Sequence, residues 1–419
     1  MSKNFPLNNS ELQELVKKFP TPFYIYDEAA IRKNMQEFTK AFSIFPKFRE
    51  YYAVKACPNP HILKILQEEG CGADCSSLPE LMLAKMTGIT EKKVMFTSNE
   101  TPAEEYQFAY ENGNIINLDD FTHIEFLEKV LGKLPETICF RYNPGNEKQG
   151  CNSIIGKPEE AKYGLTRSQI IEAYGICKAK GVKHFGLHTM VASNELNPDF
   201  FVDTAKLVFE LAVEIKEKTG AIIEFVDLGG GIGIPYKPEQ KAVDYNVIAA
   251  GIRKEYDRVV VPNGLDPMEI YFECGRPITG PYGWLVTKAV HKKHIYREYV
   301  AVDACMADLM RPGMYGAYHE VTVSGKETAA KTEVYDVVGS LCENCDKFAV
   351  QRSLPQIDIG DLVIIHDAGA HGRAMGFNYN GKLRAGELLL KADKSVKQIR
   401  RRETIDDLFA TLDLSEFKS

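Results

Sequence analysis

Eight short runs of β-branched and aromatic residues, each followed by a helical pattern, occupy the first two thirds of this chain, and their alternation constrains the fold more than any other feature. The runs are Arg49–Ala56, Gly70–Ser77, Lys93–Asn99, Asn114–Asp119, Thr137–Pro144, His184–Met190, Glu224–Gly231 and Glu269–Arg276. The clearest helical segment between them is "FFVDTAKLVFELAVEIKEKTG". There Leu207, Val208, Leu211, Ala212 and Ile215 make one apolar stripe, and Gly220 closes the end. Strand–helix alternation favours parallel pairing through right-handed crossovers. Eight such units close into a (β/α)8 barrel, whereas fewer would suit an open doubly wound sheet. The count of eight decides for the barrel.

After Arg276 the rhythm changes. "GWLVTKAVHKKHIYREYVAVDA", "TEVYDVVGSLCENC", "DLVIIHDAGAHG" and "GELLLKADKSVKQIRR" are strand-like pieces separated by turns. They predict a C-terminal all-β domain of sandwich or barrel type. The early strand "TPFYIYD" precedes the first barrel strand by a helix and is expected to pair with that domain. The expected organisation is therefore a barrel over 28–278 and a discontinuous β domain over 1–27 plus 279–419. A chain of 419 residues suits two such domains.

Composition removes several function classes. A net charge of −7 argues against nucleic acid as the main partner, because phosphate contacts need clustered Lys and Arg. The one basic run, "KQIRRR" at Lys397–Arg402, reads as a solvated strand edge. No apolar run approaches the length of a membrane span, and the polar start "MSKNFPLNNSELQELVKKF" does not read as a signal peptide. Ten cysteines in such a chain point to reduced thiols and a cytoplasmic location.

The chemistry of a barrel of this kind sits at the C-terminal ends of its strands. Those ends carry Lys55, then Asp74 with Ser76 and Ser77, Arg141 and Asn143, and His188. The last two carry Gly229, Gly230 and Gly231, and then Glu273, Gly275 and Arg276. A phosphate is commonly held after the seventh and eighth strands, and "GGGIG" there offers backbone N–H groups with no side chain in the way. A lysine condenses with an aldehyde, and pyridoxal phosphate is an aldehyde that carries a phosphate. Its pyridine nitrogen needs a carboxylate beside it, for which Glu273 is the candidate. The plainer reading of Lys55 is a snorkelling lysine at a strand end.

"YYAVKA", "HFGLHTMVAS", "DLGGGIGIPY", "ECGRPITGPYG", "VDACMADLMRPGMYGAYH", "GSLCENCD" and "DAGAHGRAMGFNYN" resemble, in order, the motifs of the fold type III pyridoxal-phosphate decarboxylases. The resemblance spans Thr21 to Leu390 and is nearest to the branch acting on meso-2,6-diaminopimelate. It implies a pyridoxal 5'-phosphate cofactor, an amino-acid substrate and a homodimer whose active sites are completed across the interface. The implied reaction is decarboxylation of meso-diaminopimelate to L-lysine and CO2. Lysine, ornithine or a citryl-diamine conjugate is the alternative substrate. Matched motif by motif, Lys55 would bond the cofactor aldehyde with Asp74 in support. Gly229, Gly230, Gly231 and Ser193 would hold the phosphate, with Gly275, Arg276 and Tyr379 close to the cofactor, and Glu273 would meet the ring nitrogen. Arg276, Arg311 and Tyr315 would bind the distal carboxylate. Cys342 and Glu343 would enter from the partner chain, Cys342 as proton donor and Glu343 on the distal ammonium, with Tyr379 also at the substrate.

Three positions depart from the pattern. Where the family carries a His-x-His pair this chain has His188 and Met190, so either the imidazole or the thioether would cover the cofactor ring. His371 replaces a common tyrosine, and "CENCD" places Cys345 three residues after Cys342. The Cys-x-x-Cys spacing also invites a zinc or redox reading. No second pair or nearby His pair completes a zinc site, and a redox motif belongs at a helix start, so no metal is expected. Cys139 and Cys177 read as small core residues.

Overall fold

The structure, a computed structural model, describes residues 3–145 and 160–417. The first strand, β1 (Phe23–Asp27), is followed by a helix and then by eight strands that close a parallel barrel. These are β2 (Phe48–Ala53), β3 (Gly72–Cys75), β4 (Val94–Thr97), β5 (Ile115–Leu118), β6 (Thr137–Tyr142), β7 (His184–Thr189), β8 (Ile223–Asp227) and β9 (Glu269–Phe272). Closure is direct, since β9 pairs in parallel with β2 as well as with β8. The chain divides into two compact units: Arg32–Ile234 with Lys241–Ile278, and Met1–Ile31 with Pro235–Gln240 and Thr279–Ser419.

Side chains fill the barrel. Tyr51, Met95, Ile115, Cys139, Phe225 and Tyr271, one from each of six strands, form a single buried cluster. The bulk of Phe225 is matched on the adjacent strand by Gly186, where any side chain would run into the Phe225 ring. The helices around the barrel start and stop on local signals. The longest, Pro198–Thr219, has Asn197 accepting the Asp199 N–H, Pro198 in its first turn, and Gly220 at φ +68° beyond its end.

The second unit is a nine-stranded sheet. Its further strands are β10 (Gly283–His294), β11 (Glu298–Val302), β12 (Val321–Val323), β13 (Glu333–Val338), β14 (Lys347–Leu354), β15 (Leu362–Ile365), β16 (Gly386–Leu390) and β17 (Val396–Arg400). The early strand β1 lies between β10, to which it is antiparallel, and β16, to which it is parallel. The basic run contributes β17, which among the described residues pairs only with β16 and leaves Lys397 and Gln398 exposed. Among the described residues no helix is long and apolar enough to cross a membrane. The nine described cysteines are all free, and Cys139 and Cys177 are fully buried.

Candidate active site

Lys55 lies just past the end of β2 rather than on it, in a one-turn 3-10 helix over Val54–Ala56. The turn is seated by a glycine: a Cβ on Gly275 would fall 2.6 Å from the Ala56 Cβ. The side chain is half exposed, and its Nζ stands 3.3 Å from Oδ2 of Asp74, which is buried near the end of β3. Asp74 holds the Lys55 ammonium above the ordinary lysine range, against the cost of burial. Burial and then Glu273 push the Asp74 carboxyl up to about 8, while Lys55 pulls it back. Lys55 therefore has a buried carboxyl as its partner, which favours the charged ammonium and fixes where the side chain points.

The glycine run after β8 could be built from no other residue. Gly229 and Gly231 take φ values of +67° and +94°. A Cβ on Gly230 would sit 2.5 Å from the carbonyl oxygen of Glu273, and one on Gly231 2.5 Å from the Ala192 carbonyl. The Gly229 N–H donates to Asp227 Oδ1 at 2.9 Å, and the Gly229 carbonyl accepts the Glu273 N–H at 2.8 Å. The Gly230 N–H points at Met190 Sδ, 3.1 Å away. Ser193 lies half-buried in the loop after β7. Arg276, 7% exposed, opens the short helix Arg276–Thr279.

Glu273, just past β9, is buried and bonded on both oxygens. Oε2 is 3.0 Å from His188 Nε2, and Oε1 accepts from the Thr97 hydroxyl at 3.4 Å. Burial pushes this carboxyl up, but the His188 ring, then Lys55 and Arg141, outweigh it and bring it down to about 2. It stays ionised where a ring nitrogen would need a counter-charge. His188 is thus engaged edge-on with Glu273, while Met190 is the side chain in contact with the glycine loop. Beside them Arg141 is 3.6 Å from Asp119 and 4.4 Å from the centre of the Tyr163 ring. His188, Asp227 and Glu273 also present one ligand atom each within 4.8 Å of one another. The short His188–Glu273 contact and the Asp227–Gly229 bond make this cluster a hydrogen-bonded network.

The other sequence-predicted residues belong to the β unit. Arg311, 5% exposed, begins the five-residue helix Arg311–Tyr315 and lies 5.7 Å over the Tyr236 ring. Tyr315 is about half exposed. Cys342, Glu343 and Tyr379 gather on an exposed surface. The Cys342 N–H donates to Asn380 Oδ1 at 2.9 Å, and a hydrogen bond with Glu343 raises the Tyr379 hydroxyl above the ordinary tyrosine range. The loop is organised from beneath by Asp346, 3% exposed, whose carboxylate accepts the N–H groups of Met306 (2.7 Å) and Leu341 (2.8 Å). Cys345 turns away to Met306, with its sulfur 3.9 Å from Met306 Sδ. His371 takes φ +54° in the loop after β15.

Sequence reasoning passed over Asp227, Asp346 and the Thr97–Asn117 pair. Asp227 had a visible signal, since it ends a strand two residues before a glycine that needs a backbone acceptor. Thr97, which accepts from Asn117 Nδ2 at 3.2 Å, carries none, because nothing local marks a polar residue that faces a distant glutamate.

The residues present suit a phosphorylated aldehyde: an accessible lysine beside a buried carboxyl, a cradle that any Cβ would fill, and a buried ionised acid. Together with the barrel they define a pyridoxal-phosphate enzyme. The chain belongs to the pyridoxal-dependent decarboxylases: residues 28–280 match the family's profile, described as "Pyridoxal-dependent decarboxylase, pyridoxal binding domain". It is a carboxy-lyase of that family, and its cofactor is pyridoxal phosphate. The chain is 41% identical to Protein TabA of Pseudomonas amygdali pv. tabaci, over 96% of this chain and 93% of that one. It is 34% identical to the diaminopimelate decarboxylase of Methanothermobacter thermautotrophicus, over 96% and 94%. Among solved structures it is similar to the diaminopimelate decarboxylase of M. jannaschii in complex with L-lysine, with TM-score 0.88, 30% identity, and 96% and 94% of the two chains covered.

Proposed function

We propose that the substrate is meso-2,6-diaminopimelate and the products L-lysine and CO2. The observation that carries this reading is the likeness, across nearly the whole chain, to diaminopimelate decarboxylases, one of them solved with L-lysine bound. Arg311 supports it: a guanidinium matches a carboxylate in a bidentate fork, and this substrate has one at each end.

When bound, pyridoxal phosphate supplies the sink for the electron pair that CO2 leaves behind. The chain's residues do the rest. Asp74 pairs with Lys55 Nζ and holds it where the amine would engage the cofactor aldehyde. The N–H groups of the Gly229–Gly231 loop, with Ser193, hold the phosphate, and Gly275, Arg276 and Tyr379 lie close to the cofactor. Glu273, ionised and steered by His188 and Thr97, balances a protonated ring nitrogen. Arg276, Arg311 and Tyr315 bind the distal carboxylate, Glu343 and Tyr379 the distal amino end, and Cys342 delivers a proton to the carbon that lost CO2. Cys342 and Glu343 act in the partner's site of a homodimer in the cytoplasm; their exposure with Tyr379 on one surface supports that reading.

A second reading, the same chemistry on lysine, ornithine or a citryl-diamine conjugate, is favoured by one finding: the 41% relative is TabA, whose name specifies no substrate. Identifying the amine released from a panel of diamino acids separates the two. A site that pairs a buried arginine with a carboxylate rejects analogues without it by about 10⁴-fold. Arg311→Ala should therefore depress kcat/KM for diaminopimelate far more than for lysine. Comparable wild-type kcat/KM for the two would refute the assignment and favour the second reading.

A further inference from the structure

We infer that Asp227 is a positioning residue that clamps the glycine cradle to Glu273, one carboxyl oxygen accepting the Gly229 N–H and the other, as a carboxylic acid O–H, turned to Glu273. This rests on the assignment of the glycine loop and Glu273 as the cofactor's holders, and it concerns a residue given no role in the chemistry above.

The geometry is specific. Asp227 is the last residue of β8 and is fully buried. Its Oδ1 is satisfied by Gly229 at 2.9 Å. Its Oδ2 is buried with no hydrogen-bond partner among the described residues. A ligand atom of Asp227 lies within 4.8 Å of those of His188 and Glu273. The chain returns the contact through the backbone, since the Gly229 carbonyl accepts the Glu273 N–H. Gly229 is therefore held from both sides, by the Asp227 side chain and by the Glu273 main chain.

Two buried carboxyls this close cannot both ionise. The groups facing Asp227 decide which one does. Glu273 has His188, Lys55 and Arg141 drawing it to the charged form. Asp227 has burial first, then Glu273 and Asp74 against ionisation, with only the Gly229 N–H in favour. The proton therefore resides on Asp227, where it gives Oδ2 a donor and Glu273 an additional partner. The orphaned oxygen is then no defect but one end of a bond that fixes the Glu273 carboxylate relative to the loop.

The test compares Asp227→Asn with Asp227→Ala. An asparagine keeps an acceptor for Gly229 and an N–H donor for Glu273, so it reproduces the neutral acid; alanine removes both. Apoenzyme titrated with pyridoxal phosphate should bind within about threefold of wild type in the Asn variant and at least roughly tenfold more weakly in the Ala variant. The infrared difference between wild-type and Asp227→Asn apoenzymes at neutral pH should contain a carboxylic-acid C=O band belonging to wild type. Absence of that band, or equal cofactor affinity in wild type and Ala, would overturn the inference. So would an Asn variant as impaired as Ala. If Asp227→Ala does not fold, the Asn affinity and the infrared band still decide. Failure of wild type itself to take the cofactor on Lys55 would instead overturn the site assignment beneath it.

Discussion

Replacing Asp346 by alanine should loosen the loop that carries Cys342 and Glu343 while leaving the barrel intact. Asp346 touches neither residue's functional group; it holds the loop by accepting two N–H groups, those of Met306 and Leu341. The fit is close, because a Cβ on Gly339 would collide with the Asp346 carboxylate. Each bond to a charged acceptor is worth about 1.5–3 kcal/mol, so losing both removes roughly 3–6 kcal/mol. Part of that returns, since burial already raises the Asp346 carboxyl and so makes its ionised form costly. A net loss of about 3 kcal/mol should lower the melting temperature of the β unit by roughly 6–12 °C. Asp346→Asn keeps one acceptor and should lose about half as much. Calorimetry gives the first measurement and the alkylation rate of Cys342 the second, the variant reacting with altered kinetics as its backbone anchor slackens. A melting temperature within about 1 °C of wild type, with unchanged Cys342 alkylation, would refute the reasoning and leave Asp346 a bystander.

Borohydride should fix the cofactor on Lys55, and Lys55→Ala should retain some noncovalent cofactor with no turnover; a reduced adduct on another lysine, mapped by mass spectrometry, would remove the core of the site. Mixing inactive Lys55→Ala with inactive Cys342→Ala chains should restore about a quarter of wild-type sites if half the dimers are mixed and each holds one intact site; no recovery despite proven exchange would place Cys342 outside a shared site. Glu403, whose burial is outweighed by hydrogen bonds from Arg384 and then Asn378, has its carboxyl pulled down to about 2. A depressed folded-state value contributes stability above the ordinary glutamate range and loses it as pH falls toward 2. Urea midpoints should therefore separate wild type from Glu403→Gln at pH 6 and converge near pH 2; a pH-independent difference would contradict the ion pair.

The barrel was legible because its signals are local. Each strand declared itself in six to eight residues, and a run such as Gly229–Gly231 announces a backbone that tolerates no Cβ. The lysine was legible as an anomaly, a charge where an apolar strand should end, although the chain leaves β2 at Ala53 and places Lys55 on a separate turn. The edge character of "KQIRRR" followed from its charge. What stayed hidden depends on pairs far apart in sequence. That His188 would bond to Glu273, 85 residues on, was not written in either motif, and the sequence left imidazole and thioether as equal candidates for the cofactor ring. Thr97 and Asp346 escaped for the same reason: a hydrogen bond between distant segments has no local period, composition or spacing to betray it.

The placement of β1 sets a timetable for synthesis. This strand leaves the ribosome early, yet its neighbours β10 and β16 begin only at Gly283 and Gly386. At about 5–20 residues per second, the first neighbour follows after roughly 15–50 seconds and the second later still. All eight barrel strands emerge in that interval, so the barrel has its full complement while Phe23, Tyr24, Ile25 and Tyr26 still present unpaired edges. An apolar strand left waiting in this way is a template for the wrong partner. The nascent chain is thus most exposed to misassembly at its beginning, and the hazard ends only when nearly the last strand has been made.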